Sequence, residues 1–273
     1  MSGRLFVVGT PIGNLGDFSP RGVEALERAD FIAAEDTRVT VKLLNHFDIK
    51  KEMLSYYEHN KNDRGNLIIE RLLKGESCAL VSDAGMPAIS DPGEDLVRTA
   101  REMGIEVEAV PGPSALITAL SISGMPSGRF CFEGFLSMNK ISRRRHLEEV
   151  KNEKRTLIFY EAPHKLPATL KDMLASFGNR EIAIVRELTK IHETVFKTTL
   201  AEAAEYYTEN TPRGEFVLII RGATEEKRDY TLEDALEITQ RLISEGQSTS
   251  SAAKEAAEIT GIKKGDIYRA IIN

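Results

Sequence analysis

Short aliphatic or β-branched runs, loops of Gly, Pro, Asp and Ser, and amphipathic stretches follow one another through the first 222 residues of the chain. Leu5-Phe6-Val7-Val8 reads as the first strand. Ser19 and Pro20 then open a helix to about Ala29, with serine as N-cap and proline at the first helical position. Phe31 to Ala34, Cys78 to Val81 and Val107 to Val110 read as the next strands, and Asp91-Pro92 opens the helix between the last two by the same device. Strand alternating with helix predicts an α/β fold around a largely parallel sheet.

After Gly124 the rhythm changes. Phe130 to Leu136 reads as a strand, a polar helical stretch follows, and strands resume at Thr156 to Tyr160, Ile182 to Val185, Thr194 to Lys197 and Phe216 to Ile220. The last three lack a long helix between every pair, which predicts a sheet mixing parallel and antiparallel strands. The segment GMPSG places a domain boundary near Gly124 to Gly128, giving an N-terminal α/β domain over 1–124 and a second over 125–223. The polar stretch TEEKRDY then leads into a helical tail over 224–273. There Leu232, Leu236, Ile238 and Leu242 recur at helical spacing, and Ala257, Gly261, Ile262 and Ile267 stand at the positions a helix-turn-helix needs.

Composition narrows the classes. With 36 basic and 42 acidic residues among 273, the net charge of −6 excludes a protein that grips nucleic acid by overall charge. The charge is uneven, however: Ser137 to Arg155 carries seven basic residues against three acidic, a net of +4, whereas the tail from Thr224 carries 7 basic against 10 acidic, a net of −3. Cys78 and Cys131 lie far apart in apolar runs, against a disulfide framework or thiolate zinc site, and read as core filler. The five histidines lack metal-site pairing, so no metal is expected. The start MSGRLFVVGT has no signal-peptide pattern and no apolar run approaches the roughly 18 residues of a membrane span, so a cytoplasmic protein without a membrane partner is expected.

Ligands of a parallel sheet bind beyond the carboxyl ends of its strands, which gives weight to the loops there. Gly9-Thr10-Pro11-Ile12-Gly13-Asn14 is neither a dinucleotide fingerprint nor a P-loop, and reads as a tight turn with both glycines at positive φ. Ser82 to Gly93 is a run of small, polar and turn-forming residues that lets backbone approach a ligand, with Asp83 as an acceptor for a hydroxyl or amino group. Val110 to Ala115 runs into a helix whose first N–H groups stand exposed near Ser114. Together they predict a pocket for a neutral or mildly charged small molecule. Asp36 and Arg38 in Glu35-Asp36-Thr37-Arg38 either face substrate or form an N-cap and a surface ion pair. No G-x-S-x-G elbow is present.

The segments GTPIGN, AEDTR, VSDAGMPAISDPG, VPGPSA, FEGFL, FYEAPHK, RELTKIHE and RGEFVLII, in this order over about residues 4 to 222, resemble the tetrapyrrole methylase superfamily. Within it they are most similar to the small-subunit ribosomal RNA ribose methyltransferase I subfamily, which methylates the 2′-hydroxyl of a cytidine in 16S ribosomal RNA. The resemblance implies two α/β/α domains with S-adenosylmethionine in the cleft between them, a small C-terminal helical extension, and a homodimer. It would place the cofactor against Pro11, Asp83, Ala84, Met86, Ser114 and Ala115, with Ala162 and Gly214 to Phe216, including Glu215, closing over it.

Methyl transfer from a sulfonium is an in-line displacement, so positioning the acceptor oxygen matters most. A nearby carboxylate or histidine would take the hydroxyl proton. Asp36, Glu161, Glu187 and Glu215 are candidates, with His164 the alternative. Arg38, Arg186 and Lys190 at strand-to-loop junctions, and Arg143, Arg144 and Arg145 in the basic stretch, are the candidate contacts to RNA phosphates of the small ribosomal subunit. The rival readings are a methylase of a corrinoid or other tetrapyrrole intermediate on the same fold, and a non-catalytic nucleic-acid binder that uses the pocket as a ligand sensor. The +4 stretch and the tail favour a polyanionic macromolecule.

Overall fold

The computed structural model describes residues 2–224 and 230–272, which fall into two compact units, Met1–Ala223 and Thr224–Asn273. Residues 225–229 of the expected polar linker lie outside the described residues. The first unit holds two five-stranded sheets, the second only helices.

The first sheet takes β1 (Arg4–Val8), β2 (Phe31–Ala34), β3 (Glu52–Ser55), β4 (Cys78–Val81) and β5 (Glu106–Val110) in the order β3-β2-β4-β1-β5, every pairing parallel. The central strands β1, β2 and β4 are almost wholly buried, as continuous apolar runs in a parallel sheet must be. Phe6, Val8 and Ile32 pack with Ala25 and Leu26 of α1 (Pro20–Arg28) and with Leu43 and Leu44 of α2 (Thr37–His46). On the other face Leu5, Phe31 and Leu80 meet Ile68 and Leu72 of α3 (Lys61–Leu73) and Leu96 of α4 (Gly93–Glu102).

Two details depart from the sequence reading. Strand β3 went unpredicted: it is a short edge strand, half exposed, and Glu-Met-Leu-Ser has neither alternation nor β-branched residues. The N-cap of α4 is Pro92 rather than Asp91, but the Asp91 carboxylate still accepts from the Gly93 N–H at 2.7 Å, serving the same helix from one residue further out. Ser19 caps α1 as the pattern predicts, accepting from the Gly22 N–H.

Helix α5 (Ala115–Ile122) leads to the second sheet, built from β6 (Phe130–Phe135), β7 (Thr156–Glu161), β8 (Glu181–Arg186), β9 (Thr194–Thr199) and β10 (Phe216–Ile220) in the order β6-β7-β10-β8-β9. Only β6 and β7 are parallel, so the expected mixture is present. Strand β10 alternates between two cores. Phe216, Leu218 and Ile220 pack toward α7 (Leu166–Phe177) and α8 (Leu200–Glu209), while Val217 and Ile219 meet Ala119 and Leu120 of α5 and Ile12 of the first sheet's loop. That second core joins the two sheets. Helix α6 (Lys140–Val150) carries the basic stretch, with Leu147 in the core.

In the second unit α9 (Leu232–Ser244), α10 (Thr249–Thr260) and α11 (Lys264–Ile272) enclose Ala235, Ala253, Ala256 and Ile267. Thr231 and Asp234 form a reciprocal capping box, and Gly261 ends α10 in the left-handed region at φ +73°. Among the described residues no helix is long and apolar enough to cross a membrane.

Candidate active site

Because the first sheet is parallel, the loops after β1, β4 and β5 leave from one edge. They are also bonded to one another. Thr10 and Gly85 exchange both backbone hydrogen bonds, at 2.9 and 3.1 Å, the Thr10 hydroxyl donates to the Ser82 carbonyl, and the Gly9 N–H donates to the Val110 carbonyl. Gly9 and Gly112 make this possible by close approach: a Cβ on Gly112 would stand 2.5 Å from the Gly9 carbonyl oxygen. The expectation that both Gly9 and Gly13 adopt positive φ holds for Gly13 alone, at +144°. A Cβ there would meet the Lys190 side chain at 2.6 Å, so the loop after β8 rests against the first loop.

Between these loops and the second sheet lies a cavity of about 420 Å³. Asp83, Ala84, Met86, Ser114 and Ala115 line it from the first sheet's edge, and Glu161, Ala162 and Glu215 from the second. All eight are sequence candidates. The wall also includes Glu35, Phe135, Tyr160, Val185, Leu188 and Val217, which sequence reasoning did not select. Pro11 lies elsewhere: it lines a second, smaller cavity that shares Ser82 and Asp83 with the first.

The candidate carboxylates separate by environment. Asp36 caps α2, accepting from the Arg38 N–H at 2.8 Å and pairing with the Arg38 guanidinium at 2.6 Å. The capping alternative is therefore the one realised, and those Arg38 bonds hold the Asp36 carboxyl down at about 2, making it a weak proton acceptor. Glu161 is buried, and its oxygens are taken by the Ala162 N–H, the Thr169 hydroxyl and the Lys165 ammonium. With these three partners it organises the turn after β7. Burial works to raise Glu187, but the bonds from Lys190 and the Glu215 N–H outweigh it and lower its pKa. These three carboxylates are thus already engaged, and Glu215, the fourth candidate, lines the cavity and shares Lys190 with Glu187.

Asp83 and Glu35 are bound by no cation among the described residues; burial shifts the pKa of each upward, and their mutual proximity adds to the shift of Glu35. The Asp83 N–H donates to Glu35 at 3.3 Å, and the Asp36 N–H donates to the Asp83 carboxylate at 3.0 Å. Glu35 is the first residue beyond β2, so its place at the sheet's carboxyl edge was a usable signal.

The basic candidates also divide. Arg143 is a correction: it is 7% exposed, and its guanidinium is held by the Asp172 carboxylate and the Ser137 and Met138 carbonyls, so it is not presented to a phosphate. Arg144 shares Asp172 but stays half exposed, and Arg145 is exposed with only a 3.8 Å contact to Glu149. Arg186 donates to the Arg213 carbonyl, and Lys190 is bound between Glu187 and Glu215. Neither lines the cavity.

The residues present fit the cofactor that the sequence resemblance implies. Ala84, Gly85, Ala115 and Ala162 leave backbone groups approachable. Ser114 makes no side-chain cap on α5; the Leu116 N–H of its first turn is taken by the Tyr160 hydroxyl, and the start of the helix still stands at the wall, suited to a carboxylate. The second sheet supplies an apolar slot in Val185, Leu188 and Val217, and Asp83 and Glu35 suit a sulfonium and hydroxyl groups.

Residues 4–204 match the family model of the tetrapyrrole (corrin/porphyrin) methylases. The chain is 47% identical to the ribosomal RNA small subunit methyltransferase I of Synechocystis, over 98% of this chain and 96% of that one. It is 45% identical to the protein of that name from Escherichia coli O157:H7, over 98% and 94%. This chain belongs to that methyltransferase family within the tetrapyrrole methylases. Among solved structures, the uroporphyrin-III-C-methyltransferase of Thermus thermophilus aligns with a TM-score of 0.58 at 18% identity, over 80% of this chain and 94% of that one. A diphthine synthase gives 0.61 at 15%, over 81% and 90%. At such identities the likeness is one of fold, and it agrees with the α/β expectation. One Thermus structure is a complex with S-adenosyl homocysteine, at TM-score 0.57 and 19% identity, over 80% and 97%.

Proposed function

We propose that the chain transfers a methyl group from S-adenosylmethionine to the ribose 2′-hydroxyl of a cytidine in 16S ribosomal RNA. The observation that carries this reading is the cavity itself, which sets backbone-accessible loops and an uncapped helix start beside two carboxylates of raised pKa. The near-full-length similarity to methyltransferases named for small-subunit ribosomal RNA supports the acceptor.

When bound, S-adenosylmethionine supplies an electrophilic methyl carbon: the hydroxyl oxygen forms the O–C bond as the S–C bond breaks with its electron pair returning to sulfur. The loops bonded through Thr10 and Gly85 hold the geometry, which is the larger share of catalysis in an in-line displacement. Asp83 takes the hydroxyl proton, the Asp36 N–H keeps its carboxylate in place while Glu35 holds its backbone N–H, and the negative charge favours a sulfonium over a neutral sulfur. Glu161 and Glu187 act as positioning residues.

On this reading the two sheets are two domains, 1–124 and 125–223, and the tail over 224–273 is a helix-turn-helix-like extension. The protein works in the cytoplasm, where its acceptor is. The exposed apolar side chains Phe135, Met138 and Ile141 support pairing as a homodimer. Arg145 and the half-exposed Arg144 meet RNA phosphates, as does the exposed guanidinium of Arg38 from within its Asp36 pair. Arg145→Gln is expected to reduce the slope of log affinity against log salt for small subunits by about one, with S-adenosylhomocysteine affinity unchanged. An unaltered slope in filter binding returns Arg145 to a solvated helix face.

The test of the acceptor class is incubation with methyl-labelled S-adenosylmethionine and either small subunits lacking the modification or a tetrapyrrole precursor. Label is expected in the RNA. Label in the tetrapyrrole alone would overturn the reading.

A further inference from the structure

The second cavity, of about 230 Å³, opens between the loop after β1 and helix α2. Its wall is apolar at Pro11, Leu15, Val39 and Leu43. Two groups in it have no partner among the described residues. Thr40 is 3% exposed, and its hydroxyl makes no hydrogen bond among the described residues. The hydroxyl oxygen itself is reached by solvent at the cavity wall, so a ligand atom there can take the place of water as its partner. Lys42, on the same helix, is exposed and has no acidic partner among the described residues, whereas Arg38 one turn earlier is taken by Asp36.

The cavity shares Asp83 with the larger one. An apolar slot the size of one nucleoside, a hydroxyl to read a polar edge and an isolated ammonium at the rim are what a single nucleotide out of its stack requires. A planar macrocycle would not fit in so small a space, and a peptide would leave Lys42 without an anion. We propose that this second cavity is the acceptor subsite: the target base lies against Pro11, Leu15 and Val39, the Thr40 hydroxyl bonds its polar edge, and Lys42 meets the adjoining phosphate. The ribose then stands at the shared wall, with its hydroxyl at Asp83. This deepens the ribosomal reading above and rests on it.

The geometry separates acceptor from cofactor, and so does the test. Thr40→Val and Lys42→Gln are each expected to raise KM for unmodified small subunits about tenfold, the value of one hydrogen bond or ionic contact. S-adenosylhomocysteine affinity by calorimetry should stay at the parent value. Thr40→Val should melt no lower than the parent, because the hydroxyl it removes has no partner to lose; a structural role for Thr40 would lower the melting point and leave KM alone. Val39→Arg, which fills the cavity from an exposed position, should lose RNA methylation while still binding S-adenosylhomocysteine. If the parent protein methylates small subunits and all three variants do so with parental KM, the subsite assignment is overturned and the ribosomal reading stands. If the parent binds S-adenosylhomocysteine but methylates no RNA, both are overturned.

Discussion

Asp83→Asn is expected to slow methyl transfer by roughly 10²- to 10⁴-fold, the range that a positioned proton acceptor contributes. The amide keeps the side chain's size and its acceptor oxygen for the Asp36 N–H. It loses the charge and the basic lone pair. Binding should therefore divide by cofactor form: affinity for positively charged S-adenosylmethionine falls, and affinity for neutral S-adenosylhomocysteine falls less. Stability should move the other way. Burial raises the folded-state pKa of Asp83 and Glu35, so their ionisation opposes folding. That penalty is absent below the unfolded carboxylate pKa and develops as pH rises through the raised folded value. At neutral pH the Asn variant should melt at or slightly above the parent temperature; the effect is small because the Asp83 side chain is only partly withdrawn from solvent. A variant that keeps parental turnover would remove Asp83 from the chemistry.

The largest stability effect is expected at Asp172. Its carboxylate is buried between Arg143 and Arg144, and the side chains of Asp172 and Arg143 are only 7% and 9% exposed. Burial acts to raise the Asp172 pKa, but the hydrogen bonds from both arginines prevail and lower it. Asp172→Ala leaves the Arg143 guanidinium buried with only the Ser137 and Met138 carbonyls, which costs roughly 3–5 kcal/mol. For a unit of this size the melting temperature should fall on the order of 10 °C. Asp172→Leu combined with Arg143→Met should recover much of the loss, because no uncompensated charge then remains. Thermal unfolding followed by circular dichroism measures both. Equal melting temperatures for Asp172→Ala and the parent would mean that the guanidinium finds water instead.

The arginine run shows what a sequence does and does not disclose. Arg143, Arg144 and Arg145 look alike as a basic cluster, yet on a helix they point about 100° apart. Arg143 precedes the buried Leu147 by four residues, so the helical period already placed it on the inward face. Asp172, its partner on α7, is 29 residues away, and nothing local announces it. The central strands were legible for the opposite reason. Phe31 to Ala34 and Cys78 to Val81 are buried on both faces, so their whole length is apolar and their bounds are sharp.

The cavity was half legible. Its first-sheet wall consists of loops directly following strands, where small residues and Asp83 stand together in sequence. The opposite wall takes Phe135, Tyr160, Leu188 and Val217 from four separate segments, which only the packing of α5 between the sheets brings together. Tyr160 is joined to that helix directly, its hydroxyl accepting from the Leu116 N–H at 3.0 Å. The carboxylates could not be ranked because the sequence shows which acids follow strands but not which are already engaged. Asp36, Glu161 and Glu187 are each bound by a cation. Among the described residues no cation binds Asp83 or Glu35.

The most direct measurement is alkaline hydrolysis of 16S ribosomal RNA from unmodified small subunits after reaction with this protein and methyl-labelled S-adenosylmethionine. A methylated 2′-oxygen blocks cleavage of the neighbouring phosphodiester, so the label is expected in one alkali-stable dinucleotide beginning with cytidine. Label released in mononucleotides, as methylation of a base would give, or RNA without label, would contradict ribose methylation at this site.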